Sequence, residues 1–306
     1  MSGEEHSAPL HDMRTGRLRT RVYRAGEQYL WRRDVLTGDS APSGALPPLP
    51  AGVGLAEAEY RGDGTYEYRA PGGLSLGHRI WPPAARTGPP EPLVRAMRTV
   101  GRALRALHAR GPVLPVPALP PPPISRLSRW LRSTDDHAHR RLTAVLGPSR
   151  VEELAAWCDA LTDTASARPA LLHGEPSVGV IVPSPDPSGT VLLTGESLTH
   201  GPAAFDLGWL LGELAEMARL ADPAHTPLLV DLAAALLAGH GPLDSGSALL
   251  PLAAGLRSVV HVSDYATYVG WNDGLEHCIA LLPDLVDTAG HAALDAVGVR
   301  TPAPGG

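Results

Sequence analysis

From Arg19 onward, apolar and polar residues alternate: Thr20-Arg21-Val22-Tyr23-Arg24, a turn at Ala25-Gly26-Glu27, then Tyr29-Leu30-Trp31-Arg32-Arg33. Alternation on either side of a glycine-containing turn predicts a β-hairpin. Two more strands are expected at Gly52–Tyr60 and Thr65–Ala70, joined by Arg61-Gly62-Asp63-Gly64, while Asp39–Pro50 is rich in Pro, Gly and Ser and reads as loop. Beyond Pro89 the period changes. Leu93, Met97, Val100, Leu104 and Leu107 recur at three- and four-residue steps, one face of an amphipathic helix, and Val151, Leu154, Trp157 and Leu161 mark another. Val178–Val182 and Thr190–Leu193 read as a short strand pair around the turn Pro183–Gly189. Three closing helices are expected near Leu207–Leu220, Leu228–Ala238 and Leu252–Leu282. Between the two earlier helices, Pro112–Pro123 reads as an extended crossing, because each proline fixes φ and lacks an N–H. Residues 1–12 and 301–306 read as tails. The expected architecture is α+β, a small β-rich region over 13–90 followed by a larger helical region over 91–300.

Composition narrows the function classes. The net charge of −6 argues against a nucleic-acid binder, which needs a basic stripe. All 26 basic residues are arginine and there is one Phe, a bias that reports a GC-rich genome more than a function. Cys158 and Cys278 alone make neither a disulfide framework nor a zinc site. Met1–Met13 has no apolar signal core, and runs such as Leu228–Ala238 are too short to span a bilayer. A cytoplasmic protein without membrane or nucleic-acid partners is expected.

Three segments carry chemistry. The first is Gly101-Arg102-Ala103-Leu104-Arg105-Ala106-Leu107-His108. The second is Leu171-Leu172-His173-Gly174-Glu175, with Val180 five residues beyond Glu175. The third is Leu193-Thr194-Gly195-Glu196 followed by Gly201-Pro202-Ala203-Ala204-Phe205-Asp206-Leu207-Gly208-Trp209. In this order they resemble the aminoglycoside phosphotransferase/choline kinase-like family. That resemblance implies a bilobal protein-kinase-like fold with a small β-rich N-lobe and a larger helical C-lobe. It also implies a catalytic Asp where Glu175 stands, and metal-binding Asn and Asp where Val180 and Thr194 stand. Val180 offers Mg²⁺ no oxygen, and Thr194 only a neutral hydroxyl. The hairpin turn carries a single Gly26 where a nucleotide-covering loop would have several, and no lysine exists to clasp phosphates, though Arg32 or Arg33 could. The chain therefore resembles a degenerate member, with no metal site and no cofactor expected. Mg-ATP enters only under the alternative of an atypical kinase in which Glu196 takes over metal binding.

The candidate catalytic groups are Glu175, His173 and Glu196. His173 has a competing role in bracing its loop, and Asp206 is expected to cap the helix that follows it and tie the loop down. His200, His261, Tyr265 and Tyr268 are candidate substrate contacts. His261 and Tyr265 are one helical turn apart, on the helix that walls the acceptor side in the family. Cys278 is disfavoured as a nucleophile, since it and His277 are adjacent on a helix and do not face each other. Actinobacterial maturation of ribosomal peptides offers a setting, because class V lanthipeptide systems are similar in kind. There the chain would bind a precursor peptide beside a partner kinase or lyase, or act on it as a thioether cyclase. The remaining alternative is a pseudokinase scaffold without catalysis.

Overall fold

The protein is described from a computed structural model covering residues 8–37, 54–81, 89–111, 120–133, 136–163, 169–184, 186, 189–243 and 247–300. The expected loop over 39–50 and the end of the chain lie outside these residues, as does most of the proline crossing.

The N-terminal part is a five-stranded antiparallel sheet. It comprises β1 (His11–Arg14), β2 (Leu18–Ala25), β3 (Gln28–Val35), β5 (Glu59–Gly62) and β6 (Thr65–Ala70), in the order β1-β2-β3-β6-β5. The β2–β3 hairpin is the expected one, with Val22 paired to Trp31. An earlier hairpin was not expected. His11–Arg14, in and beside the supposed tail, pairs with β2, so the first turn of the sheet is Thr15-Gly16-Arg17 and not the turn at Gly26. The polar tetrapeptide His-Asp-Met-Arg has no alternation of its own, and pairing to an adjacent strand supplies the order that pattern does not.

The expected strand Gly52–Tyr60 is two strands in two sheets. β4 (Leu55–Glu57) runs parallel to β9 (Val191–Thr194), whereas β5 joins β6. At the changeover Ala58 N–H donates to Thr194 O at 3.0 Å, which ties the N-terminal segment to the strand carrying the third motif. Of the expected pair around residue 186, Ile181–Val182 (β8) pairs with β9, but Val178–Val180 forms a single 3-10 turn.

The helices are α1 (Leu76–Ile80), α2 (Glu91–His108), α3 (Pro122–Ser133), α4 (His137–Thr162), α5 (Ala204–Leu220), α6 (Thr226–His240), α7 (Leu249–Tyr268), α8 (Asp273–Asp287) and α9 (His291–Ala296). Pro122 and Pro123 do not continue an extended crossing. They open α3, where a missing N–H costs nothing because the first turn has no internal partner for it. The expected single helix over Leu252–Leu282 is two. Gly270 takes φ +123° and Asn272 caps the next segment by accepting from Gly274 N–H at 2.8 Å, so α7 ends and α8 begins.

The core is continuous from Trp31 and Tyr68 of the sheet through Leu172, Ile181 and Leu192 to Phe205, Trp209 and Val259 of the helices. Packing α2 on α6 is close enough that a Cβ on Gly101 would sit 2.2 Å from Leu236 O. The glycine of the first motif thus serves helix contact. Among the described residues no helix is long and apolar enough to cross a membrane.

Candidate functional site

The second motif sits between β7 (Ala170–Leu172) and the turn at Val178. β7 pairs with β10 (Thr199–Gly201). Asp206 fixes its shape. Its carboxylate accepts from His173 N–H at 2.7 Å and Gly174 N–H at 3.0 Å, and His108 Nε2 lies 2.9 Å away. His108 Nδ1 is in turn 3.0 Å from His240 Nε2 on α6. Asp206 is wholly buried and ties the loop down as expected, but it does not cap its own helix, because all its oxygens are spent elsewhere. Gly174 holds φ +84°, and a Cβ there would lie 1.9 Å from Ser197 O, so the turn admits only glycine.

His173 is buried, with Nε2 2.8 Å from Leu193 O. A carbonyl only accepts, so Nε2 carries the proton. Nδ1 is then a lone-pair acceptor, and among the described residues it has no hydrogen-bond partner.

A cavity of about 490 Å³ lies between the sheet and the helices. His173, Glu175, Glu196, His261, Tyr265 and Tyr268 all line it; His200 does not, being buried on β10 against β7. These six, with His200, are spread over three segments in sequence, and the fold gathers all but His200.

The charged groups of the cavity are engaged with one another. Arg17, from the unexpected first turn, donates to both oxygens of Glu175 at 2.8 and 2.5 Å. Arg126 of α3 donates to Glu175 at 2.9 Å and to Asp264 of α7 at 2.7 Å. Burial alone would raise the Glu175 pKa, but Arg17 and Arg126 outweigh it and hold the carboxyl at about 2. Burial likewise works against the Arg126 charge, and Glu175 and Asp264 overcome it, so its pKa is raised. The first turn is also pinned through its backbone, since Gly16 N–H donates to Tyr268 O at 2.7 Å.

Glu196 is similarly occupied. Arg33 of β3 donates to it through Nε and through Nη2, the latter at 3.1 Å, and Tyr68 O–H donates at 2.8 Å. Burial raises the Tyr68 pKa well above its ordinary value, and Glu196 adds to the effect, so the phenol stays a donor.

Deeper among the helices, Glu213 of α5 accepts from Val178 N–H at 2.7 Å and from Arg257 of α7 at 3.2 Å. Glu216, one turn on, accepts from the same Arg257 at 3.3 Å and contacts His261 Nδ1. Burial pushes the Glu213 carboxyl up, against the pull of Arg257. Burial also pushes the Cys278 thiol up to about 11, which keeps it protonated near neutrality.

These residues do not fit a divalent metal. Val180 is a buried aliphatic, the Thr194 hydroxyl donates to Leu192 O at 2.9 Å, and the Glu196 oxygens are filled by Arg33 and Tyr68. Among the described residues no three His, Cys, Asp or Glu side chains assemble into a metal-holding group.

Arg17, Arg126, Asp264, Glu213, Glu216 and Arg257 were not singled out from sequence. For the last three a signal existed. Glu213 and Glu216 interrupt an otherwise apolar helix three residues apart, and Arg257 and His261 do so four residues apart. For Arg17 and Arg126 there was none.

Among solved structures, the chain is similar to amicoumacin kinase hAmiN in complex with AMP-PNP, Ca²⁺ and Ami, at 13% identity over 94% of this chain and 89% of that one, with a TM-score of 0.54. It is also similar to aminoglycoside phosphotransferase APH(3'')-Id from Streptomyces rimosus, at 12% identity over 83% and 91%, with a TM-score of 0.50. The fold is protein-kinase-like. The microcompartment-associated aminopropanol kinase is a further neighbour, at 15% identity over 97% and 96%, with a TM-score of 0.49. No family model matches the chain, and no curated protein does. In this kinase-like frame the sheet β1-β2-β3-β6-β5 forms the small β-rich part and α2–α9 the larger helical part, with the cavity between them.

Proposed function

We propose that this kinase-like protein binds a ligand in its cleft without Mg-ATP phosphotransfer, and that the ligand is a peptide undergoing maturation in a ribosomal natural-product pathway. The observation that carries the first half is the occupation of both cleft carboxylates by arginine: Glu175 by Arg17 and Arg126, and Glu196 by Arg33 with Tyr68. A phosphotransferase needs such carboxylates free, one to orient the acceptor hydroxyl and others to hold metal against the phosphates. A Glu175 pKa of about 2 makes it a very weak base near neutrality. Its role in this reading is to hold the first turn and α3 together.

The peptide half is supported by the lining. Leu18, Tyr265, Tyr268 and Val269 offer apolar and aromatic surface with hydroxyl groups, with Trp31, Trp209 and Val260 buried beneath it, the character of a side-chain-binding groove. A precursor peptide, presented to a partner kinase or lyase, is the ligand class proposed.

Differential scanning of the protein with ATP and MgCl₂, and then with a synthetic Ser/Thr/Cys-rich precursor peptide from the neighbouring genes, tests both halves. The expected result is no Mg-dependent rise in Tm with ATP and a saturable rise with the peptide. A Mg-dependent ATP shift would sink the metal-free reading and restore the atypical kinase. A thioether cyclase remains the catalytic variant of the proposal. It needs a base for the cysteine thiol and an acid for the carbon that was unsaturated, and Glu175 serves for neither.

A further inference from the structure

We propose that His261 is a general base facing the cleft and that Glu216 is the residue positioning it. This deepens the ligand-binding reading by placing a proton acceptor in the same cavity, and it does not depend on the ligand being a peptide.

His261 lines the cavity from α7, and its side chain is about 30% exposed there. Glu216 lies behind it on α5, nearly buried, with its Oε1 against His261 Nδ1. That oxygen is shut off from solvent and, among the described residues, has no hydrogen-bond partner, while His261 Nδ1 stands in contact with it. A carboxylate oxygen has no proton to give, so the unpaired Oε1 favours the tautomer in which Nδ1 carries the proton and Nε2 keeps its lone pair. Among the described residues nothing hydrogen-bonds to Nε2. Tyr265, one turn along α7, stacks on the ring with centroids 5.7 Å apart and limits its rotation. Arg257 holds the other oxygen of Glu216 at 3.3 Å, so the carboxylate is itself oriented. Base, orienting carboxylate and a group holding that carboxylate are the elements by which an imidazole is prepared for proton transfer.

The local charge count supports the same role. Glu213 and Glu216 share one guanidinium, Arg257. One negative charge is left over, placed to neutralise the imidazolium that forms when His261 takes up a proton. The proposed step is a proton transfer alone. A ligand O–H or S–H breaks, its proton bonds to Nε2, and the oxygen or sulfur keeps the electron pair. The new imidazolium is offset by Glu216, and the proton is returned as the ligand leaves. Nothing is oxidised or reduced.

The test uses the intact chain and 5-nitrobenzisoxazole, a small aromatic probe that opens to a cyanophenolate when a base removes its one ring C–H proton. His261→Gln is expected to reduce the opening rate at least tenfold, whereas His277→Ala, exposed on α8 and outside the cavity, leaves it unchanged. Nitrogen-15 shifts of the unsubstituted protein are expected to report the Nδ1–H tautomer at His261, a readout that requires no variant. In Glu216→Gln the preference for the Nδ1–H tautomer is expected to be lost, read from the same nitrogen-15 shifts. An Nε2–H tautomer in the parent, an unchanged tautomer in Glu216→Gln, or equal rates in the parent and His261→Gln would each overturn the assignment. Because the probe is neither a peptide nor a nucleotide, these outcomes are independent of the thermal shifts that decide the binding reading.

Discussion

Two carboxylate pairs stand at one cavity, Glu216 from behind its wall, and differ in how many guanidinium groups they have. Glu175 and Asp264 have two, Arg17 and Arg126, and every charge is matched. Glu213 and Glu216 have one, Arg257, and among the described residues His261 is the other basic group in contact with the pair. In the first pair Arg17 and Arg126 hold the Glu175 carboxyl at about 2 against the opposing effect of burial. The second is short of positive charge, and burial lifts the Glu213 carboxyl. The same residue type is thus a fixed anion in one cluster and part of a proton-accepting group in the other. The stoichiometry of partners decides which, more than burial does, since both clusters are shielded from solvent.

Upsetting that stoichiometry at Arg126 should have the largest effect. Arg126→Met leaves Glu175 and Asp264 facing Arg17 alone, and about 3–5 kcal/mol of stability should be lost in urea unfolding at pH 7. The double variant Arg126→Met/Glu175→Gln should recover part of the loss; a strictly additive result would show that the charge match is not what stabilises this cluster. Next comes the loop anchor. Asp206→Ala strands two buried N–H groups and His108 and should cost about 2–4 kcal/mol, measured the same way.

Acid sharpens the comparison. The folded pKa of Glu175 lies below its unfolded value of 4.5, so its contribution is fully present above that value and is lost as pH falls towards about 2. Across that window the parent should lose roughly 3 kcal/mol that Glu175→Gln does not lose, given 1.36 kcal/mol for each pH unit. Glu213 has the opposite sign. Its raised folded pKa means that stability declines as pH rises through and above the ordinary glutamate range, and Glu213→Gln should flatten that decline in urea titrations between pH 4.5 and 8. Two slopes of the same sign would end the contrast between the clusters. The smallest effect is expected at the first turn. Arg17 is partly exposed, so Arg17→Ala should cost only about 1 kcal/mol, yet amide exchange at Gly16 should quicken as the turn lifts from Tyr268.

Much of the helical region was readable because amphipathic periodicity survives in any context that buries one face. Leu93, Met97, Val100, Leu104 and Leu107 are all buried on α2 as their spacing implied. The misses cluster where order comes from a distant partner. His11–Arg14 has no pattern of its own and is a strand only because β2 lies beside it. Gly52–Tyr60 reads as one strand, but Ala58 carries the chain from one sheet to another. The join between α7 and α8 was hidden because apolar residues continue at helical spacing on both sides of it, although Gly270 and Asn272 stood as stop and start signals.

By itself the sequence determined the motif frame, His173-Gly174-Glu175 and Leu193-Thr194-Gly195-Glu196, together with the loss of metal-ligating side chains at Val180 and Thr194. Those are properties of residue type at fixed spacing, and no fold can put an oxygen on valine. Only the tertiary structure decided what the retained carboxylates do. Arg17 lies 158 residues from Glu175, and Arg33 lies 163 from Glu196. Whether a carboxylate is a base or a fixed anion depends on how many cations stand within a few ångströms of it, and that number exists only after the chain has folded.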